Sequence, residues 1–296
     1  KDTAVFASAR TSNTITITTG GLLVSGAEGV DFVKSDVESL RFTDGTFSFA
    51  TLQALAAVPP GPQPMNFVLT TNSDFGAAFT GAGTNDTFTG KIDTVTPFLS
   101  TYNGGDVLDG AGGDDSLTVS ISGNGAGATV PPIALNNIET VKILNQEQGG
   151  GQTTFNATLW TGVTSIAAEN GVINASTIVN NVANLVAGKM TANQSNLAIN
   201  YTGGVLSGLT DTQELVLSNN VDGVFSLSGG VAETLKITSQ TGDNTVFING
   251  SNGHTGVTVV GDKHLNLNLN GGNVVTTVDA SGMTGGGLEV FGILSI

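Results

Sequence analysis

The segment Glu233-Thr234-Leu235-Lys236-Ile237 decides the fold class, because its apolar and polar side chains alternate with a period of two and imperfect copies of it return along the chain. The copies are IETVKI (Ile138 to Ile143), ELVL (Glu214 to Leu217) and HLNLNL (His264 to Leu269). Glu214 and Glu233 lie 19 residues apart and the other intervals are about 25. Such spacing matches one rung of a β-solenoid or one strand pair of a sandwich. Gly and Asn between the copies supply the positive φ angles that tight corners require. The expected fold is all-β, a β-solenoid or β-roll-like stack preceded by a small N-terminal β unit.

Working outward, composition agrees. Asp, Glu, Lys and Arg make up only 11% of the 296 residues, against 42 glycines. Solubility must therefore rest on hydroxyls and amides, which compete with the backbone inside helices and favour strands and turns. The balance of 24 acidic to 9 basic residues argues against nucleic acid or an anionic membrane surface as partner, since both require clustered cations. No cysteine is present, so disulfides and thiolate chemistry are excluded and packing or metal ions must hold the fold. The opening KDTAVFASAR lacks the pattern of a signal peptide, and no apolar run reaches about 18 residues, so no transmembrane segment is expected, and either another route exports the chain or the sequence is a fragment.

All seven prolines precede residue 133, and four of them fall in Pro59-Pro60-Gly61-Pro62-Gln63-Pro64, which reads as a linker. The expected organisation is a small β domain over 1–58, a proline-rich linker over 59–66, an acidic, glycine-rich region over 67–132 and a repetitive solenoid-like domain over 133–296. In the first domain, Thr14 to Thr18 and Val37 to Phe42 read as strands, Asp44-Gly45 as a hairpin turn, and Phe49 to Val58 as a short helix.

Chemistry concentrates between Asp74 and Asp115, where seven acidic residues meet one lysine, Lys91. Gly81-Ala82-Gly83-Thr84-Asn85-Asp86-Thr87-Phe88 and Gly110-Ala111-Gly112-Gly113-Asp114-Asp115-Ser116-Leu117 align at an offset of 29. Both read as G-G-x-G-x-D-x-U with a glycine or two replaced. In that pattern the glycines turn the backbone so that carbonyls point inward, and the aspartate adds a carboxylate. Calcium takes six to eight such oxygens with tolerance for irregular angles. The expected calcium ligands are Asp86 and Asp115, then Asp106, Asp109 and Asp114, with Asp74 behind them. The competing reading is that Asn-Asp and Gly-Asp pairs only make turns.

Enzymatic readings find no support. His254 and His264 lie outside any H-E-x-x-H frame, and neither a G-x-S-x-G elbow nor a phosphate loop occurs. A glycosidase-like carboxylate pair, such as Glu214 with Glu233, needs no local motif and stands as the enzymatic alternative. The expectation is no enzyme. One tryptophan and two tyrosines give no platform for stacking sugars, although a cell-surface polysaccharide remains a candidate partner.

The runs VLTTNSDFGAAFTGAGTNDTFTG, GGDVLDGAGGDDSLTV and NNIETVKI follow one another between Val68 and Ile143, and in this order the segment from Phe67 resembles the RTX-type surface-layer proteins of Gram-negative bacteria. Val257 to Gly286 is similar to the strand-rich repeats of that family, and Ser35 to Phe49 to a segment common near the ends of RTX proteins. The resemblance implies calcium-dependent folding, type I secretion to the cell surface and self-association into a surface layer, sheath or filament. The alternative is a calcium-stiffened adhesin stalk or a non-catalytic module of a secreted hydrolase. Gly287 to Ile296 (GLEVFGILSI) carries one charge and no proline, so an unguarded strand edge is expected there.

Overall fold

The computed structural model describes residues 1–56, 62–249, 253–269 and 274–292. Residues 59–61 of the expected linker and 293–296 of the expected edge lie outside the described residues. The chain is nearly all β and separates into two units, Lys1–Gly61 and Pro62–Ile296.

In the first unit, Thr14–Thr18, Gly21–Gly26 and Gly29–Lys34 form an antiparallel meander. Ser39–Phe42 and Gly45–Ser48 form the hairpin that Asp44-Gly45 predicts, and Thr3–Val5 joins it in parallel. The helix spans Phe49–Ala56. Phe6 stacks on Phe42 with ring centroids 4.9 Å apart, over a core completed by Leu22, Val24, Leu40 and Leu52.

The second unit is a parallel β-solenoid of about ten turns. A ten-stranded sheet, which we call sheet A, runs from Asn66–Val68 and Thr87–Asp93 at one end to Gly256–Gly261 and Thr277–Met283 at the other. An eight-stranded sheet B runs from Ala128–Thr129 to Leu288–Gly292. A short third sheet of Val107–Asp109, Ala134–Asn136 and Trp160–Thr161 gives the first coils an extra face. Most strands bury every second residue, as Leu117, Val119 and Ile121 do in Ser116–Ser122, at no more than 1% exposure, while Ser165–Glu169 buries four in succession. Full burial of each such side chain stabilises by about 1.5–3 kcal/mol. The outward residues are Thr, Ser, Asn and Lys, so alternation here marks parallel strands with one wet face.

Two boundaries differ from expectation. Strands from 67–132 pair directly with strands from 133–296 in common sheets, so these two regions form one unit with no break at residue 132. The interval of 19 also dissolves: Glu214 pairs with Lys236 and Glu233 follows the register of Asp211, giving a repeat of 22. Two glutamates at neighbouring but different positions in the coil had mimicked one repeated site. Along sheet A the offsets are 29, 24, 25 and 22 through Thr87, Ser116, Thr140, Ser165 and Ala187, and 21 between Thr258 and Asp279. Corners absorb the variation. Asn170, Ala192, Asn219 and Thr241 open successive corners in the left-handed region, with φ of 49°, 46°, 53° and 72°.

Candidate functional site

The offset of 29 is a structural register. Thr87 pairs with Ser116, and bridges join Thr80 to Asp109 and Gly83 to Gly112, so the two glycine-rich turns stack in adjacent coils immediately before sheet A. Within the first turn, Asp86 is 1% exposed and its carboxylate collects backbone donors: Ala82 N–H to Oδ2 and Met65 N–H to Oδ1, both at 2.6 Å. A Cβ on Gly81 would overlap Asp86 Oδ2, and one on Gly110 would overlap both Asp115 Oδ2 and the carbonyl of Asn137. The carboxylate thus occupies the room that a side chain would take, which explains why glycine and aspartate recur five residues apart.

Between coils the acids form a ladder. Asp86 N–H donates to Asp115 Oδ1 at 2.5 Å, and Asp115 N–H donates to Glu139 Oε2 of the third coil at 2.7 Å. Glu139 has no motif around it and escaped the sequence reading; only its place two residues before the inward Val141 relates it to Asp86 and Asp115. Asp115 differs from Asp86 in one respect. Ala111 N–H, which corresponds to the donor Ala82, turns to Asp109 Oδ1 at 2.9 Å, and Asp115 Oδ2 is left buried without a partner. Burial pushes the Asp115 carboxyl above its ordinary range; the Asp86 N–H opposes this, and the charges of Glu139, Asp86 and Asp114 add to it.

A second ladder lies one face away. Thr70 caps Asp74 through its N–H and its hydroxyl, both at 2.7 Å, and Asp74 N–H donates to Asp106 Oδ1 at 3.0 Å. Asn103 N–H reaches Asp106 Oδ2 at 2.8 Å. Burial raises the Asp106 carboxyl, against the two N–H donors from Asn103 and Asp74 and helped by the charge of Asp74. Asp109 accepts Asn137 Nδ2 at 2.9 Å, while Asp114 is exposed and offers its own N–H to Asn85. Four of the six aspartates therefore form two ladders, Asp109 is held apart by Ala111 and Asn137, and Asp114 faces solvent. Among the described residues, no three Asp, Glu, His or Cys side chains converge as a group able to hold a metal ion.

The same device recurs where no motif was read. Gly208 N–H caps Asp211, whose own N–H donates to Glu233 Oε2 at 2.8 Å. Glu214 ion-pairs with Lys236 at 2.8 Å, so both members of the glycosidase-like pair are engaged within the coil stack. Glu147, missed in the sequence, is fully buried and fastens three coils: it accepts the Thr94 hydroxyl and Gly127 N–H at 2.7 Å and the Thr153 hydroxyl at 3.4 Å. The neighbouring Gly149-Gly150-Gly151 was the available signal, since a Cβ on Gly151 would overlap that carboxylate. Buried His254 holds the carbonyl of Ala232 at 2.6 Å, and burial lowers its affinity for a proton. No family model, no curated protein and no solved structure matches this chain.

Proposed function

We propose that the chain is a structural segment of a secreted bacterial surface protein that self-associates, and that calcium locks its first coils at the turn holding Asp115. One observation carries the calcium reading: Asp115 Oδ2 is buried without a donor, while the charges of Glu139, Asp86 and Asp114 act on the same carboxyl. A carboxylate oxygen so placed needs a cation or a proton, because an unpaired buried charge costs several kcal/mol or neutralises itself. The acids of this ladder offer oxygen and no thiol or imidazole, a chemistry that suits calcium over zinc. Secretion, the cell surface and self-association rest on the resemblance to RTX-type surface-layer proteins and on the polar, cysteine-free, repetitive composition. Asp115 with Asp86 would contribute carboxylate oxygens, and the calcium would supply the missing counter-charge between coils.

Melting followed with millimolar calcium and with chelator tests this. A ligand confined to the folded state and present at 100 times its Kd adds about 2.7 kcal/mol. Calcium should raise the melting temperature, Asp115→Ala should remove most of the rise and Asp211→Ala, which strands no oxygen, should keep it. Superimposed curves for the wild type would mean that a proton neutralises Asp115.

A further inference from the structure

The two long sheets of the solenoid present different outer faces. Along sheet A a charge stands outward on six strands, as Lys91, Lys142, Glu169, Lys189, Glu214 and Lys236. Sheet B lacks them over most of its length. Its six strands from Gln152–Asn156 to Leu265–Leu269 contain no Asp, Glu, Lys or Arg. Its central outward row is Thr154, Ile178, Ala198 and Ser226, each in register with the next.

The centre of this face is apolar and its margin is made of amides. Ile178 and Ala198 adjoin Val224, which pairs with Phe247. Ile173 and Val221, on the corners leading into the sheet, are 57% and 55% exposed. A cavity of about 250 Å³ lies here, with Ile173, Asn196, Val224 and Phe247 in its lining. Along the other edge the polar groups bond to one another up the stack: Asn200 Nδ2 donates to Asn180 Oδ1 at 2.6 Å, and Ser228 Oγ to Asn200 Oδ1 at 2.7 Å. Groups already paired in this way lose little when water leaves them. An apolar centre inside a polar rim, with charge depleted, is the make-up of a protein interface.

We propose that this face packs against the same face of a second copy of the chain. Charge selects the occupant. The chain carries a net charge of −15, so two copies repel wherever their acids meet. The outer face of sheet B is where they can meet without apposing like charges. Size is sufficient as well. Six strands of five or more residues span roughly 29 Å by 17 Å, which covers about 1,000 Å² over the two copies, the extent at which specific interfaces begin. Asp222 and Asp243 stand on the edge where Val224–Ser228 and Asn244–Ile248 start. A two-fold axis running along the stack lays that edge over the amide edge of the partner and keeps these acids apart. The same axis sets Ile178 and Ala198 against their own copies. The contact is isologous, so it closes a pair. This inference rests on the self-association proposed above and names its interface.

The chain has no cysteine, so Ala198→Cys introduces a lone thiol beside the axis. Oxidation should link this variant into dimers and leave Thr238→Cys, on the outer face of sheet A, unlinked. Ala198→Lys sets two ammonium groups against each other and should raise the Kd of the pair about 100-fold in sedimentation, with circular dichroism and melting of the monomer unchanged. Ile178→Lys, one coil away, serves as the second variant should Ala198→Lys fail to fold, and Thr238→Lys should leave the pair intact. A wild type that stays monomeric at all concentrations, with and without calcium, overturns both the self-association and this interface. Dimers that persist in the lysine variants of sheet B, with no cross-link in Ala198→Cys, overturn the interface alone.

Discussion

Two kinds of corner in the solenoid, carboxylate and amide, meet the same demand with different chemistry. Every corner exposes backbone N–H groups that must find acceptors once buried. Before sheet A in the first coils, carboxylates answer: Asp86, Asp115 and Glu139 receive N–H groups from Met65, Asp86 and Asp115. After sheet A in the later coils, buried amides answer: Asn193 receives Gly171 N–H at 3.1 Å, and Asn244 receives Asn220 N–H at 2.7 Å. Amides satisfy the backbone without charge. Carboxylates make stronger hydrogen bonds but accumulate charge at coil spacing, about 4.8 Å. Carboxylate corners, which return at Asp211 and Glu233 in the later coils, carry charge, and the amide corners do not.

Replacing a glycine in each kind of corner should give the largest effect. A Cβ on Gly110 would overlap Asp115 Oδ2, and one on Gly171 would overlap Ser195 Oγ and Asn193 Oδ1. Each alanine variant should lose about 2–3 kcal/mol in urea titrations, in the range for overpacking. Only Gly110→Ala should also lose the calcium response; equal calcium responses in the two variants would break the contrast.

Acid should move the two regions in opposite directions when calcium is chelated. Asp115 and Asp106 have carboxyls raised above their ordinary range, chiefly by burial. Their contribution is fully present below the unfolded pKa, about 3.9, and is lost as pH rises through the folded value. His254 is lowered, again by burial, so its contribution is present above about 6.5 and declines as pH falls below that. Between about pH 6.5 and 4, hydrogen exchange should slow around residues 81–115 and quicken around His254. Parallel changes in both regions would show that charge at the early corners is not the controlling feature.

Thr241 should give the smallest effect. It is a β-branched residue at φ 72° in the late coils, where Gly relieves strain, so Thr241→Gly should stabilise by roughly 0.5–1 kcal/mol in thermal melts and leave the calcium response untouched.

Much of this architecture was legible in the residues. Alternation in ETLKI and HLNLNL specified strands with one wet face, and the offset of 29 between the two glycine-rich turns is the coil register itself. Coil length was less legible, because Glu214 and Glu233 look equivalent in sequence while occupying different positions along the coil. At the candidate site, Asp86 and Asp115 could be picked out because glycine must stand five residues before a carboxylate that fills its place. Glu139 could not, since what recruits it is a donor on another coil, 24 residues away, and Glu147 was marked only by the glycine run that follows it.

The parallel stacking also sets how the second unit bears tension. Its first and last strands lie at opposite ends of the sheets, and each coil is held mainly by the coils before and after it. Force transmitted along the chain therefore loads one row of ladder bonds at a time and peels the stack from an end. Each coil released frees 21 to 29 residues, roughly 70–100 Å of slack at the extended rise of a peptide chain. Single-molecule stretching should therefore show repeated extensions of that size, whereas one all-at-once rupture would show that the coils act together.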